Sequence, residues 1–453
     1  MNFAIIGGGP AGCLMALLLA RRGHRVEVFE RRADPRLVPP EAGRSINLAL
    51  AARGERALAE AGVLEALRPH QVPMPARQLH LQDGSEASSP YGQSPGEVNQ
   101  SISRAELTRQ LVIHAGHETA ITLHFGQRCI GLDAANRPVV EHEGTGQQRR
   151  IDADRIIAAD GAGSAVRKAL AAAGHVEASN DLLDHDYKEL LIPARDGRSA
   201  LAVREALHIW PRRGHMLIAL PNADHSFTAT LFMPRTGPTS FASLATADAV
   251  AGFFAREFPD VPALIPDLAR QFATHRQGIL GTVRCTPWNL GERILLIGDA
   301  AHAMVPFHGQ GLNCALEDCR LLDALLADGG SEPFARFYAR RRADADAISL
   351  MSLENYGEMR DEVLDARHHV HRELELALER RHPGRFIPRY AMVMFHDDIP
   401  YSVALARGRV QQEILDALVP QALSRASLDA ARIDWAEADR LVEQRLPPVP
   451  EGP

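Results

Sequence analysis

The chain has 453 residues, too many for one ordinary hydrophobic core, so we expect two or three domains. Its 45% hydrophobic and 24% charged residues are typical of a globular protein, and its net charge of −7 argues against a nucleic-acid-binding protein. Because the five cysteines lack CxxC spacing and no apolar run reaches the roughly 18 residues of a membrane span, we expect a soluble cytoplasmic protein without a disulfide framework, a bound metal or a membrane anchor.

The first 30 residues carry the pattern strand, glycine-rich turn, helix, strand. Gly7, Gly9 and Gly12 have the spacing of a dinucleotide-binding fingerprint, and Glu30 ends the second predicted strand, where it could accept hydrogen bonds from a ribose. The N-terminus of the intervening helix favours phosphate binding, because its N–H groups are unpaired and carry partial positive charge. The pattern therefore predicts a bound dinucleotide, although the fingerprint alone does not distinguish FAD from NAD.

Further along the chain, several features extend this pattern. Arg104 falls in the first turn of a predicted helix, where a cation is unfavourable unless an anion lies nearby. A second strand, turn and helix contains Asp160 and Gly161, and residues 187–231 alternate like antiparallel strands. A polar, glycine-rich segment at 298–313 follows a further apolar strand, and from about residue 332 the pattern is helical.

Three separated segments, "GGGPAG" at residues 7–12, "DG" at 160–161 and "GD" at 298–299, resemble the signature of the class A flavoprotein monooxygenases, which have a para-hydroxybenzoate hydroxylase-like fold. The resemblance implies that the first segment binds the ADP half of FAD and that Asp299 contacts the ribityl chain. It also implies that the N-terminus of the helix at Gly311, Leu312 and Asn313 lies beside the flavin ring, where it favours negative charge on the reduced flavin.

The fold that we predict is α/β, with a Rossmann-like FAD-binding domain that is interrupted by an antiparallel-sheet substrate domain and followed by a C-terminal helical domain. The predicted boundaries are 1–70, 97–180 and 283–345 for the FAD-binding domain, 71–96 and 181–282 for the substrate domain, 346–445 for the helical domain, and 446–453 for a disordered tail.

Further stretches, among them "GRSINLAL", "YKEL", "LHIWPR", "VPFHGQGLN", "LENY" and "RFIPRY", resemble the kynurenine 3-monooxygenase family over nearly the whole chain. The resemblance implies FAD- and NADPH-dependent hydroxylation of L-kynurenine to 3-hydroxy-L-kynurenine with O₂, a step of tryptophan catabolism. NADPH would be a transient co-substrate, because no second glycine fingerprint follows a strand. Leu312 stands where many members have Met, and the charged, proline-rich end resembles the soluble bacterial type.

The resemblance also assigns the site residues. Arg77, Tyr91, Asn355 and Tyr390 would bind the substrate carboxylate, and His308 would orient the ring. Taken alone, each of the four also fits a structural role, Arg77 as a solvated loop charge and the others as packing or helix-contact residues. The predicted FAD contacts are Gly7, Gly9, Ala11, Gly12, Phe29, Glu30, Arg31, Arg32, Arg44, Ala49, Arg104, Cys129, Asp160, Asp299, Gly311, Leu312 and Asn313.

Two other functions stay open at this stage. The same machinery could hydroxylate another aromatic amine or phenol, or the chain could be a FAD-binding protein without catalytic activity. Partners other than the small-molecule substrate and O₂ are not indicated, and a homodimer is left open.

Overall fold

The computed structural model describes residues 1–38, 47–361, 365–420, 427–428 and 432–449. The strands are β1 (Asn2–Ile6), β2 (Arg25–Glu30), β3 (Asn47–Leu50), β4 (Gln71–Met74), β5 (Ala76–His80), β6 (Glu86–Pro90), β7 (Asn99–Ser103), β8 (Ile121–Phe125), β9 (Gln127–Leu132), β10 (Pro138–His142), β11 (Gln148–Arg150), β12 (Arg155–Ala158), β13 (Glu177–Ile192), β14 (Leu207–Arg212), β15 (His215–Pro221), β16 (Phe227–Pro234), β17 (Gln277–Thr286), β18 (Asn289–Leu290) and β19 (Ile294–Leu296).

The helices are α1 (Pro10–Arg21), α2 (Ala52–Glu60), α3 (Leu64–Leu67), α4 (Arg104–His117), α5 (Ala165–Ala172), α6 (Ala247–Glu257), α7 (Val261–Leu264), α8 (Leu268–Thr274), α9 (Asp299–His302), α10 (Gly311–Ala327), α11 (Pro333–Arg360), α12 (Ala366–Arg381), α13 (Arg389–Met394), α14 (Tyr401–Leu418) and α15 (Trp435–Arg445). Short 3₁₀ helices lie at Arg68–His70, Phe241–Ser243 and Pro306–His308. No helix in the described part of the chain is both long and apolar enough to cross a membrane.

A six-stranded sheet in the order β18-β19-β12-β1-β2-β8 forms the centre of the nucleotide-binding region. All pairs in it are parallel except β18 with β19. The central strands are continuous apolar runs such as "FAII" and "ILL", as expected for strands that are buried on both faces. Because these strands run in parallel, the segments that follow β1, β12 and β19 meet at one edge of the sheet.

A seven-stranded sheet in the order β17-β13-β16-β15-β14-β5-β6 forms the second layer of the molecule. Its strands pair antiparallel except for β5 with β14. One face packs on α6, α7 and α8 through aromatic residues such as Trp210, Phe254 and Phe258. The other face, which includes Met216 and Phe232, turns toward Phe307 and α11. The predicted antiparallel sheet is therefore confirmed, with one parallel pair added.

The chain ends in helices α11 to α15, as the sequence predicts. Leu446 is only 1% exposed and packs among these helices, and the Val449 N–H donates to the carbonyl oxygen of Gly384. The predicted disordered tail therefore does not begin at residue 446, because the two apolar side chains of this proline-rich stretch find a partner surface. Residues 450–453 lie outside the described residues, and the domain boundaries stay a prediction.

Candidate functional site

The glycine-rich turn after β1 contacts the segment after β12. Gly7 has a φ of +106°, and a Cβ there would lie 2.4 Å from the carbonyl oxygen of Ala159. A Cβ on Gly12 would lie 1.9 Å from the carbonyl oxygen of Gly7, whereas a Cβ on Gly9 would meet nothing within 4 Å. Gly7 and Gly12 are thus required by the backbone packing, and Gly9 leaves open space at the N-terminus of α1, where a pyrophosphate can approach.

Glu30 lies at the end of β2 beside this turn. Its carboxylate accepts hydrogen bonds from the N–H groups of Gly8 at 2.8 Å and Arg32 at 2.9 Å. These two hydrogen bonds help to hold the turn in place. The side chains of Arg31 and Arg32 are exposed, and Phe29 is buried and stacks on His124. The Glu30 carboxylate thus lies at the turn, and its predicted contact with a ribose stays a prediction.

Asp160 and Asp299, separated by 139 positions, approach the same arginine. Arg167 donates hydrogen bonds to the carbonyl oxygens of Ala162 and Ala300, the second at 2.7 Å. Burial lowers the pKa of Arg167, and the nearby charges of Asp160 and Asp299 oppose this lowering. Asp160 Oδ2 accepts from the Ala165 N–H at 2.7 Å, but its buried Oδ1 has no partner among the described residues. Burial raises the pKa of Asp160. An unpartnered carboxylate oxygen at this edge fits a ligand that supplies hydroxyl donors.

The N-terminus of α10 is held against the segment around Ala49. Asn313 Oδ1 accepts from the Ala51 N–H at 2.9 Å, and Asn313 Nδ2 donates to the carbonyl oxygens of Ala49 and Gly309, both at 2.9 Å. A Cβ on Gly311 would lie 4.0 Å from Asp299 Oδ1, which places this helix end beside Asp299.

The remaining predicted flavin contacts lie on several different elements. A Cβ on Gly298 would lie 3.9 Å from the Cβ of Ala11, Leu312 packs on the central core, and Arg104 is exposed at the start of α4. Cys129 on β9 is half-buried, and burial raises the pKa of its thiol to about 11. Arg44 lies outside the described residues.

A cavity of about 320 Å³ lies between the seven-stranded sheet, the segment 303–309 and the C-terminal helices. Apolar side chains form most of its wall, and Asp299 lines it on the nucleotide side. At another part of the wall, the guanidinium carbon of Arg77 lies 5.2 Å from the ring centre of Tyr91 and 4.7 Å from that of Tyr390. The two rings stack 5.3 Å apart at 7°. The side chain of Arg77 is 19% exposed, so it is not the solvated loop charge that its sequence alone also allows.

A second, polar cavity of about 340 Å³ adjoins the first. Four of the predicted site residues line both cavities, namely Arg77, Tyr91, His308 and Tyr390. Asn355 lines the second cavity but not the first. Burial raises the pKa of Tyr91, so its hydroxyl stays protonated and can donate a hydrogen bond. The arrangement provides donors for an anion at the junction of an apolar and a polar space.

Asn355 has an additional contact that the sequence does not predict. Its Nδ2 donates to the backbone carbonyl oxygen of Phe307 at 2.7 Å and lies 3.3 Å from Met359 Sδ. In this arrangement the amide donors are occupied by the protein, and Asn355 holds the wall of the apolar cavity in place. Its predicted role toward the substrate carboxylate stays a prediction.

His308 is 5% exposed and stacks on Tyr390, with ring centres 5.4 Å apart. Burial, assisted by the positive charge of Arg389, lowers the pKa of His308 to about 4, so its ring is neutral at pH 7. Its Nδ1 is buried and has no partner among the described residues. A neutral imidazole with one unused nitrogen is suited to orient a polar group of a ligand.

Two further residues lie at the polar junction and were not predicted from the sequence. Glu358 Oε1 lies 3.8 Å from Arg77 Nη1, and Asn99 Nδ2 donates to the Tyr390 hydroxyl at 3.1 Å. Burial raises the pKa of Glu358, but the positive charges around it, of which Arg77 contributes most, together hold this pKa below its usual value. Asn355 and Glu358 are three positions apart on one helix and therefore share a face. This spacing could have predicted Glu358 as a site residue.

His302, Cys314 and Asp318 bring atoms that could ligate a metal within 4.8 Å of one another. However, Arg341 Nε lies 2.7 Å from Asp318 Oδ1, and Arg341 Nη2 lies 3.1 Å from Cys314 Sγ. Burial lowers the pKa of His302, but the charge of Asp318, 2.6 Å away, together with the hydrogen bond to it and the interaction with Cys314, raises this pKa above its usual value. Two cations already face Asp318, so a metal ion would be repelled, and we interpret the group as a buried ion-pair network.

The family model described as an FAD binding domain matches residues 1–332. Kynurenine 3-monooxygenase of Xanthomonas euvesicatoria pv. vesicatoria (strain 85-10) is 45% identical over 452 residues, which cover 99% of this chain and 98% of that protein. Kynurenine 3-monooxygenase of Stenotrophomonas maltophilia (strain K279a) is 44% identical over 455 residues, with coverage of 100% and 98%.

Among solved structures, the tetrameric form of 2-methyl-3-hydroxypyridine-5-carboxylic acid oxygenase is similar with a TM-score of 0.66 and 20% identity, over 83% of this chain and 95% of that one. At this identity the similarity establishes the shared fold. The identity of 45% and 44% to the two relatives, over nearly their full length, shows the family as well as the fold. This chain belongs to the kynurenine 3-monooxygenase family, whose N-terminal part is an FAD-binding domain.

Proposed function

We propose that the protein catalyses the hydroxylation of L-kynurenine to 3-hydroxy-L-kynurenine, with FAD as bound cofactor and NADPH and O₂ as co-substrates. The observation that carries this proposal is the position of Arg77 beside the stacked rings of Tyr91 and Tyr390, at the junction of the apolar and polar cavities. An amino acid with an aromatic side chain matches this junction, since its carboxylate can meet Arg77 while its ring enters the apolar cavity.

The apolar cavity orients the ring toward the nucleotide edge. Phe232 and Phe307 form part of its wall, with ring centres 5.0 Å apart, and Asp299 lines the cavity where the flavin would lie. A bidentate pair between Arg77 and the substrate carboxylate fixes the other end of the substrate, and the Tyr91 and Tyr390 hydroxyls add donors. The substrate is thereby held at both ends, which is the main contribution that a protein makes when a cofactor carries the chemistry.

The residues at the nucleotide edge would hold FAD. Gly9 leaves room for the pyrophosphate at the N-terminus of α1, Glu30 meets the ribose, and Asp160 and Asp299 accept from the hydroxyl groups of the bound cofactor. When bound, FAD would accept two electrons from NADPH and activate O₂, of which one oxygen atom would enter the ring and the other would leave as water. The apolar side chains of the wall limit access of water to the ring, and His308 orients the ketone or amine of the substrate with its neutral imidazole.

The direct test is a product assay on the purified, FAD-loaded protein. We expect L-kynurenine to stimulate NADPH oxidation and one 3-hydroxy-L-kynurenine to form per coupled turnover, identified by mass and retention time. If NADPH oxidation responds instead to another aromatic amine or phenol, the substrate assignment is wrong while the reaction class stands. If no aromatic compound stimulates it, the proposed function is wrong.

A further inference from the structure

Tyr401, the first residue of α14, connects the C-terminal helices to the N-terminus of α10. Its hydroxyl donates to Gln310 Oε1 at 2.7 Å, and both residues have 0% exposure. Gln310 is the residue that precedes α10, and its own carbonyl oxygen accepts the first hydrogen bond of that helix from the Cys314 N–H at 2.8 Å. Gln310 Nε2 points to Met394 Sδ on α13, 2.8 Å away. Both polar ends of the Gln310 side chain are thus held by the C-terminal helices.

The ring of Tyr401 is itself fixed by two buried arginines. The guanidinium carbon of Arg53 lies 4.1 Å from the ring centre and that of Arg341 lies 5.5 Å from it. Glu317 pairs with both arginines, at 2.8 Å and 2.6 Å. Cation–π contacts of this kind are strongest where the groups are desolvated, as these are.

The same network reaches the segment that carries Asp299. Arg341 pairs with Asp318 at 2.7 Å, and Asp318 Oδ2 accepts from the Gly298 N–H at 3.0 Å. One connected set of buried polar side chains therefore contacts the chain immediately before Asp299 and the residue immediately before α10. These are the two points from which the protein is expected to reach the ribityl chain and the flavin ring.

We propose that Tyr401 is a positioning residue for the flavin, which acts through Gln310 on the N-terminus of α10 and makes the C-terminal helices part of the flavin site. This inference rests on FAD binding in the proposed function, but it does not depend on which aromatic compound is hydroxylated. Because the unpaired N–H groups of a helix N-terminus favour negative charge only over about one turn, their effect on reduced flavin depends on how this end is held.

The test is Tyr401→Phe, which removes one oxygen and keeps the ring between the arginines. We expect the dissociation constant for FAD, measured on the apoprotein, to rise about three- to tenfold, the range of one lost buried hydrogen bond. We also expect the reduction potential of the bound flavin to become more negative, since reduced flavin loses a positioned helix end. Gln310→Leu removes the same hydrogen bond from the other partner and should produce the same two changes.

Two controls separate positioning from general loss of stability. Tyr338→Phe on α11 removes a hydroxyl that is hydrogen-bonded to Thr286 and Arg342, away from α10, and should leave FAD affinity and potential unchanged. Adding Tyr401→Phe to Gln310→Leu should cause no further change if Tyr401 acts through Gln310. The inference is wrong if folded Tyr401→Phe and Gln310→Leu proteins keep the wild-type FAD affinity and potential, or if the effects of the two substitutions simply add.

Discussion

Asn355 donates a hydrogen bond of 2.7 Å from its Nδ2 atom to the backbone carbonyl oxygen of Phe307. The bond joins the long helix α11 to the wall of the apolar cavity, where Phe307 also stacks on Tyr356 with ring centres 3.8 Å apart. Both contacts come from neighbouring residues on one helix, so the position of this wall depends on α11. A substitution in α11 can therefore change how an aromatic ring is held without touching the nucleotide edge.

Asn355→Asp tests this dependence, because a carboxylate has the same shape but cannot donate to the Phe307 carbonyl. We expect kcat/KM for L-kynurenine to fall about tenfold or more, since a buried carbonyl loses its donor and faces a negative charge. The measurement is steady-state formation of 3-hydroxy-L-kynurenine. Asn289→Asp is the matched control, because Asn289 Nδ2 on β18 makes the same kind of bond to the Gly291 carbonyl, where the bond is exposed. Equal kinetics for both variants would contradict the prediction.

Arg77→Lys tests whether the site requires the shape of the guanidinium or only its positive charge. A lysine keeps the positive charge but loses the planar fork and the packing against the rings of Tyr91 and Tyr390. We expect KM for L-kynurenine to rise about ten- to hundredfold, which corresponds to a charge-assisted hydrogen bond of about 1.5–3 kcal/mol. Arg270→Lys, at an exposed arginine paired with Asp267, is the control. A KM within twofold of the wild type would remove Arg77 from the substrate site.

Gly9→Ala and Gly12→Ala should differ although both lie in the same turn. A Cβ on Gly12 would lie 1.9 Å from a backbone oxygen, so this variant should lose folding stability even without cofactor. A Cβ on Gly9 meets nothing within 4 Å, so the Gly9→Ala apoprotein should melt like the wild type but bind FAD at least about tenfold more weakly, because the methyl group occupies the pyrophosphate position. The apoprotein melting temperature and FAD titration measure the two effects. Tight FAD binding by Gly9→Ala would place the pyrophosphate elsewhere.

The convergence of the nucleotide segments could be predicted from the sequence, because parallel strands bring their carboxyl ends to one edge. Accordingly, a Cβ on Gly7 would lie 2.4 Å from the carbonyl oxygen of Ala159, and a Cβ on Gly298 would lie 3.9 Å from the Cβ of Ala11. The contact of Asn355 with Phe307 could not be predicted, because it depends on how α11 is rotated against a loop 48 positions earlier.

The bond between Tyr401 and Gln310 lacks a local signal for the same reason, since it joins two elements 91 positions apart. The packing of Leu446 and Val449 was not predicted, because a proline-rich composition by itself indicates disorder. The sequence does not show that an apolar surface lies close enough for these two side chains to pack on it.

His208 should make the stability of the seven-stranded sheet depend on pH. Its Nε2 lies 2.7 Å from the Val203 carbonyl oxygen and its Nδ1 lies 2.8 Å from His80 Nε2, so a neutral ring donates to the first and accepts from the second. Burial lowers the pKa of His208 to about 4. Between the unfolded value of about 6.5 and this value, the unfolded chain binds a proton that the folded chain does not. The free energy of unfolding should therefore fall as the pH falls through this window. Above the window, His208 should cause no change of this free energy with pH.

The measurement is urea unfolding of the wild type and of His208→Gln at pH 7 and pH 4.5. The glutamine can still donate to the Val203 carbonyl but does not titrate, so the loss of stability between the two pH values should be smaller by about 1–3 kcal/mol than in the wild type. His117→Gln, at an exposed position at the end of α4, should retain the full wild-type loss. Because each variant is compared with itself at two pH values, any destabilisation by the substitution at neutral pH cancels. An identical loss in His208→Gln and in the wild type would mean that this ring is protonated equally in the folded and unfolded chains.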